Sequence, residues 1–126
     1  MLTGAQKLYL YAIYKLGQEG KSIRSAEVAK IVGVSKPSTV RMTQKLIDDG
    51  YIIKEPYHEI ALTEKGVRAA NELYTPCVIM HDFLKNTIGV SEESADADAI
   101  VLASQLTEET CSKLTEYALN KYTTRE

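Results

Sequence analysis

This chain has no long apolar run, no tryptophan, one phenylalanine, and only two cysteines and two histidines. No uninterrupted hydrophobic stretch approaches the ~18 residues needed to cross a bilayer. The N-terminus has no basic segment followed by an apolar core and a cleavage site. Together these absences point to a cytoplasmic protein. The two cysteines, Cys77 and Cys111, make no disulfide framework, and in a reducing compartment both are expected as thiols. With two histidines, no glycine-rich phosphate loop and no nucleophile–base pair at readable spacing, there is little to catalyse with, so an enzyme is not expected. Low-complexity tracts, internal repeats and flexible linkers are absent as well.

What is present is the composition of a packed protein. The 126 residues are 44% hydrophobic and 25% charged, enough for one compact domain or for a small module with a helical extension. The net charge of -2 hides an asymmetry. Residues 1–68 carry 11 Lys and Arg against 7 Asp and Glu, a balance of +4, whereas residues 69–126 carry 4 against 10, a balance of -6. A basic half joined to an acidic half suggests that the first meets a polyanion.

The stretch TGAQKLYLYAIYKLGQEG predicts a helix stopped by Gly17 or Gly20. Between Leu8 and Leu16 only Lys15 is clearly polar, so this helix should be enclosed. A second, short helix is expected behind Ser25 as N-cap and ended by Gly33. A third begins behind Ser35, carries Pro37 in its first turn, where a missing N–H costs nothing, and stops at Gly50. Helix, tight glycine turn and capped helix together make a helix-turn-helix. YIIKEPYHEIALT then predicts two short strands, about Tyr51 to Lys54 and Glu59 to Leu62, turned at Pro56, Tyr57 and His58. A helix-turn-helix followed at once by a hairpin is a winged helix. Thr63 is expected to cap the next helix, Pro76 to kink or restart it, and Gly89 to end it. Two more helices should follow, behind Ser91 and Thr107. The fold class expected is therefore mostly α, a winged helix-turn-helix over residues 1–70 followed by an all-helical domain over 71–126.

At 100° per residue, Thr39, Thr43, Leu46 and Ile47 fall on one side of the third helix, with Val40 and Met42 at its margins. The opposite side collects Pro37, Ser38, Arg41, Gln44 and Lys45. These donors suit base edges and phosphates, Arg bidentate to guanine and Gln to adenine. With Ser35, Lys36 and Thr39 from the first turn, and His58 at the wing tip, they make up the candidate DNA-contacting set. Asp48 and Asp49 would repel phosphates, so the N-terminal half of the helix should enter the groove.

The runs VSKPSTVRMTQKLIDDGYI, IALTEKG and FLKNTIGV resemble the metal-dependent repressors of the diphtheria toxin repressor and manganese transport regulator type. The resemblance extends from the first helix to about Leu119. It implies a homodimer on a palindromic operator, with the helices after the wing at the dimer interface and a bound metal setting the register of the two reading heads. Longer relatives carry a further C-terminal domain, which is not expected within these 126 residues. The resemblance also implies metal ligands at positions that here are Ile100, Ala103 and Ser104, with further ligands from the first helix, where Leu8 and Tyr11 stand. Ile100, Ala103 and Ser104 are not plausible ligands, so the usual primary metal site is not expected.

For a second, ancillary metal position the resemblance points to Cys77, His81 and Asp96. Cys77 and His81 are four residues apart and share a helical face. A thiolate, an imidazole and a carboxylate suit Zn(II), Fe(II) or Co(II) rather than Mg(II). The cofactor admitted is thus a transition metal, Zn, Fe or Mn, or none. Cys77 also reads as a small buried hydrophobe, or as a redox-sensing thiol with Cys111 as its resolving partner. Two other functions stay open at this point. One is a MarR-like regulator with a ligand pocket lined by Tyr9, Tyr11, Tyr14 and Tyr74; the other is a winged-helix protein-interaction module.

Overall fold

Thr3 starts the first helix with a reciprocal cap. Its hydroxyl accepts the backbone N–H of Gln6 at 3.1 Å, and the Gln6 side-chain oxygen accepts the N–H of Thr3 at 2.9 Å. Two of the donors that a helix start leaves unpaired are satisfied in this way. The computed structural model describes residues 2–20, 22–55 and 59–123, with side chains described as far as Asn120. Pro56, Tyr57 and His58, the expected wing tip, lie outside the described residues.

The chain divides into two compact units, Met1–Asn71 and Glu72–Glu126. In the first, helix α1 (Gly4–Gln18) is enclosed as its apolar run requires, with Tyr9, Leu10, Tyr11, Ala12, Ile13 and Leu16 all buried. Helix α2 (Ser25–Val32) packs against α1 and against α3 (Lys36–Asp48). The expectation that Ser25 caps α2 is corrected: Arg24 holds the cap position without a side-chain hydrogen bond, and Ser25 is already the first helical residue. A helix of two turns between a buried Ile23 and a glycine stop is held by packing through Val28 and Ala29 rather than by its cap. Gly33 takes φ +80°, a left-handed conformation that a side chain would strain, and this turns the chain into α3.

Strands β1 (Ile52–Lys54) and β2 (Ile60–Leu62) pair antiparallel, with Ile52 opposite Leu62 and Lys54 opposite Ile60. The N–H of Ile60 also donates to the carbonyl of Ile23 at 2.8 Å, tying the hairpin to the segment before α2. Leu10, Ile13 and Leu16 of α1, Val28 of α2, Leu46 of α3, Ile52 and Ile60 of the hairpin, and Ala70 form one core. Truncating such a fully buried aliphatic to alanine costs about 2–5 kcal/mol.

Helix α4 (Glu64–Asp82) begins in the first unit and ends in the second. Of the kink or new start expected at Pro76, the new start is corrected, because α4 runs through the proline. One backbone bond is lost there, but Leu73, Cys77 and Met80 are buried on either side, and that packing keeps the helix going. A π-helical segment, Phe83–Ile88, extends α4 and ends at Gly89, φ +90°. Helix α5 (Glu92–Gln105) starts behind Ser91, whose hydroxyl accepts the N–H of Ser94 at 3.1 Å. Helix α6 (Glu108–Thr123) starts behind Thr107, which accepts the N–H of Thr110 at 3.3 Å. Ala95, Ala99 and Ala103, four residues apart, form the buried stripe of α5, and Phe83 meets Tyr117 edge to face at 6.3 Å. The fold is mostly helical, a winged helix-turn-helix followed by an all-helical unit.

Candidate functional site

The N-terminal turn of α3 is built on Ser35. Its hydroxyl accepts the N–H of Ser38 at 3.3 Å, and the two serine hydroxyls lie 3.0 Å apart. Ser38 in turn accepts a 3.3 Å hydrogen bond from Nη2 of Arg41. The guanidinium thereby lies along the first turn of the helix. Ser35, Lys36, Pro37, Arg41, Gln44 and Lys45 are exposed and Ser38 is half-buried, so these residues share one accessible surface. The Gln44 amide donates to Asp48 at 3.0 Å.

Thr39 must be removed from the contacting set. It is 0% exposed, and its hydroxyl donates to the carbonyl of Ser35 at 3.2 Å, so it cannot reach a ligand. Its place on the core side of the helical wheel, beside Thr43 and Leu46, was the reliable signal. Val40 moves the other way. Placed by the sequence at the edge of the core stripe, it is 45% exposed and adds an apolar patch beside Arg41. His58 falls outside the described residues.

The far end of α3 is fastened at three points. Gln6 Nε2 donates to Asp49 Oδ2 at 2.9 Å, and Lys65 Nζ donates to the Asp49 carbonyl at 2.9 Å while lying 4.4 Å above the Tyr51 ring. The Thr63 hydroxyl lies 2.7 Å from the Gly50 carbonyl and 3.1 Å from that of Tyr51, and it accepts the N–H of Gly66. A Cβ on Gly66 would collide with the Tyr51 carbonyl. The run LTEKG is thus a clamp: Thr63, Lys65 and Gly66 seat the start of α4 on the residues that end α3.

In the second unit, His81 Nε2 lies 2.7 Å from Asp96 Oδ1 and 3.3 Å from Glu92 Oε1. Ligand atoms of these three residues all lie within 4.8 Å of one another, the one such group of His, Cys, Asp and Glu among the described residues. Cys77 does not join it. It is 8% exposed in the core, and this corrects the expected Cys77, His81 and Asp96 set. The share of a helical face that links Cys77 to His81 spans the edge of the core, with the thiol inside and the imidazole outside. Glu92 was missed, although its place in the first turn of α5 put it one turn from Asp96. Lys85 Nζ lies 2.7 Å from Glu92 Oε2. That hydrogen bond, followed by the carboxylate's charge, holds the Lys85 ammonium above its ordinary range, and the same bond holds Glu92 below the usual carboxylate range.

The positions to which the resemblance assigned the principal metal ligands do not fit one. Ala103 is buried and has no donor. The buried Ser104 hydroxyl gives its proton to the Ile100 carbonyl at 2.6 Å and accepts from Gln105 at 3.0 Å. In the first unit, Leu8 has no donor atom and Tyr11 is buried among the apolar residues of α1.

A capped, exposed helix behind a glycine turn, backed by a hairpin, defines a winged helix-turn-helix regulator. The family described as iron dependent repressor, N-terminal DNA binding domain, matches residues 1–60. A helix-turn-helix transcriptional regulator of Methanocaldococcus jannaschii is 32% identical over 107 residues, 84% of this chain and 86% of that protein. The regulator MntR of Geobacillus kaustophilus is 34% identical over 98 residues, 78% of this chain and 69% of that protein. The structure of the manganese regulator SloR superposes with a TM-score of 0.73 at 26% identity over 91% of this chain. This chain spans about half of SloR, 53% of its length. The chain belongs to the iron-dependent repressor family of helix-turn-helix transcriptional regulators, a family of DNA-binding proteins and not of enzymes. None of the described helices is long and apolar enough to cross a membrane.

Proposed function

We propose that this chain is a cytoplasmic, sequence-specific transcriptional repressor that acts as a homodimer on a palindromic operator, with residues 1–70 reading DNA and residues 71–126 joining the two copies. The observation that carries this reading is the exposed face of α3 around Arg41, whose guanidinium is pre-positioned by Ser38 and Ser35. Arg41 suits the O6 and N7 of guanine, Gln44 suits adenine once it leaves Asp48, and Val40 suits a thymine methyl. Lys36, Lys45, Ser35 and Ser38 suit phosphate oxygens, Pro37 lies in the same exposed first turn, and His58 is assigned to the wing contact. The exposed Asp48 and Asp49 favour entry by the N-terminal half of the helix.

The dimer reading draws on the second unit, where Tyr74, Val78, Val101, Tyr117 and Leu119 are exposed. A two-fold partner packed on these side chains would remove them from water. Metal dependence is proposed to be altered. The principal ligand positions hold Ile100, Ala103 and Ser104, so packing sets the register of the two reading heads.

Selection of binding sites from a random duplex library tests the reading. The expected outcome is an enriched palindrome bound at least ~10³-fold more tightly than random duplex, with log affinity falling linearly with log salt. Failure to enrich any site, with no salt-dependent duplex binding, would leave a protein-interaction module as the better reading.

A further inference from the structure

His81 comes from the last turn of α4, whereas Glu92 and Asp96 lie one turn apart at the start of α5. An imidazole and two carboxylates with their ligand atoms within 4.8 Å make a donor set that accepts a divalent cation. The cluster already has a cation. Lys85, one turn beyond His81 on the π-helical segment, sets its ammonium 2.7 Å from Glu92 Oε2, while the other carboxylate oxygen of Glu92 lies 3.3 Å from His81. The side chain of Asn86 on that segment donates to Asp82, the last residue of α4, at 2.6 Å. π-Helical turns are rare and are found frequently at functional sites.

We propose that Lys85 is a tethered cation that takes the charge-neutralising place of a divalent metal ion at the His81, Glu92 and Asp96 cluster and so competes with any such ion for Glu92. A metal ion entering the cluster must displace the ammonium from Glu92, and the displaced charge stays nearby because the side chain is covalently attached. An ammonium in the chain is also present at a fixed local concentration that no dialysis or chelator alters. Both groups are solvent-exposed, so the pair adds little to folding stability, and its effect lies in the competition. The inference deepens the altered metal dependence proposed above and rests on it for its regulatory meaning. The competition itself is measured without DNA, so its failure leaves the reading of α3 untouched.

The test compares the full chain with its Lys85→Met variant by calorimetric titration with ZnCl₂ and with MnCl₂, and by thermal melting with and without EDTA. The parent is expected to melt at the same temperature in both conditions. The variant should bind one Zn(II) per chain at least tenfold more tightly than the parent and melt higher when loaded. Adding Asp96→Asn to the variant should abolish the gain. Lys85→Gln serves as the second variant if circular dichroism shows that Lys85→Met is unfolded. Equal affinity in parent and variant, whether tight or absent, overturns the proposal. So does a gain that survives Asp96→Asn, since the ion would then lie elsewhere.

Discussion

The side chains of Gln6 and Asp49, 43 residues apart, meet at 2.9 Å and join the first turn of α1 to the end of α3. Gln6 is 1% exposed and also completes the cap with Thr3, so its amide is used at both ends. Replacing it by leucine keeps the volume and removes both bonds. A net hydrogen bond to a charged group is worth about 1.5–3 kcal/mol and a cap about 1 kcal/mol. Gln6→Leu should therefore lower stability by roughly 2 kcal/mol in urea unfolding. An unchanged midpoint would show that the bond contributes nothing.

Gly66 offers a sharper test of the LTEKG clamp. Alanine there places a methyl against the Tyr51 carbonyl, and backbone cannot yield as a flexible side chain would. Overpacking of this kind costs about 1–3 kcal/mol, so Gly66→Ala should shift the unfolding midpoint down even though alanine is the better helix former. A gain in stability would mean that the approach of the two segments is looser than described.

On DNA, the residues of α3 should separate by role. Arg41→Ala is expected to weaken binding to the selected operator by about 1–3 kcal/mol and to relax the sequence preference. Lys45→Ala should weaken all duplexes to a similar degree and reduce the salt slope by about one. If competition binding shows both variants as tight and as selective as the parent, α3 is not the reading helix.

Assembly is checked by sedimentation at micromolar concentration, where the proposed dimer should run at about twice the 14.0 kDa chain mass. Charging the exposed apolar surface by Val101→Glu should shift the population toward monomer and lower operator affinity with it. A parent that sediments as a monomer would remove the dimer and the palindromic operator together.

Chelation probes the switch. With the principal ligand positions occupied by Ile100, Ala103 and Ser104, operator affinity should be the same in EDTA as in manganese, zinc or iron salts. Cys77→Ala should leave it unchanged too, because the thiol lies in the core and outside the charged cluster. A tenfold loss with either treatment, about 1.4 kcal/mol, would make a metal or thiol the effector.

Local rules in the sequence determined much of this protein. Ser35, Pro37, Gly33 and Gly50 encode the turn and third helix, because caps, a fixed φ and a left-handed residue act within a few positions of themselves. The alternation of Thr39, Thr43 and Leu46 with Arg41, Gln44 and Lys45 gave the buried and exposed faces, since helical period is intrinsic to the chain. Tertiary structure decided what depends on distant partners or on competing energies. Packing of Leu73, Cys77 and Met80 carried α4 through Pro76, against a purely local penalty. Val40 at a helix margin was left to water by neighbours that no wheel could supply. Cys77 and His81 share a face in sequence, yet the core boundary runs between them, and Glu92 and Asp96 of α5 meet the histidine instead, with Lys85 of the π-helical segment bonded to Glu92. The contacts of Gln6, Lys65 and Gly66 with residues 49–51 are likewise invisible to local pattern, because hydrogen bonds and close backbone approaches across 15 to 43 residues exist only once the chain has closed on itself.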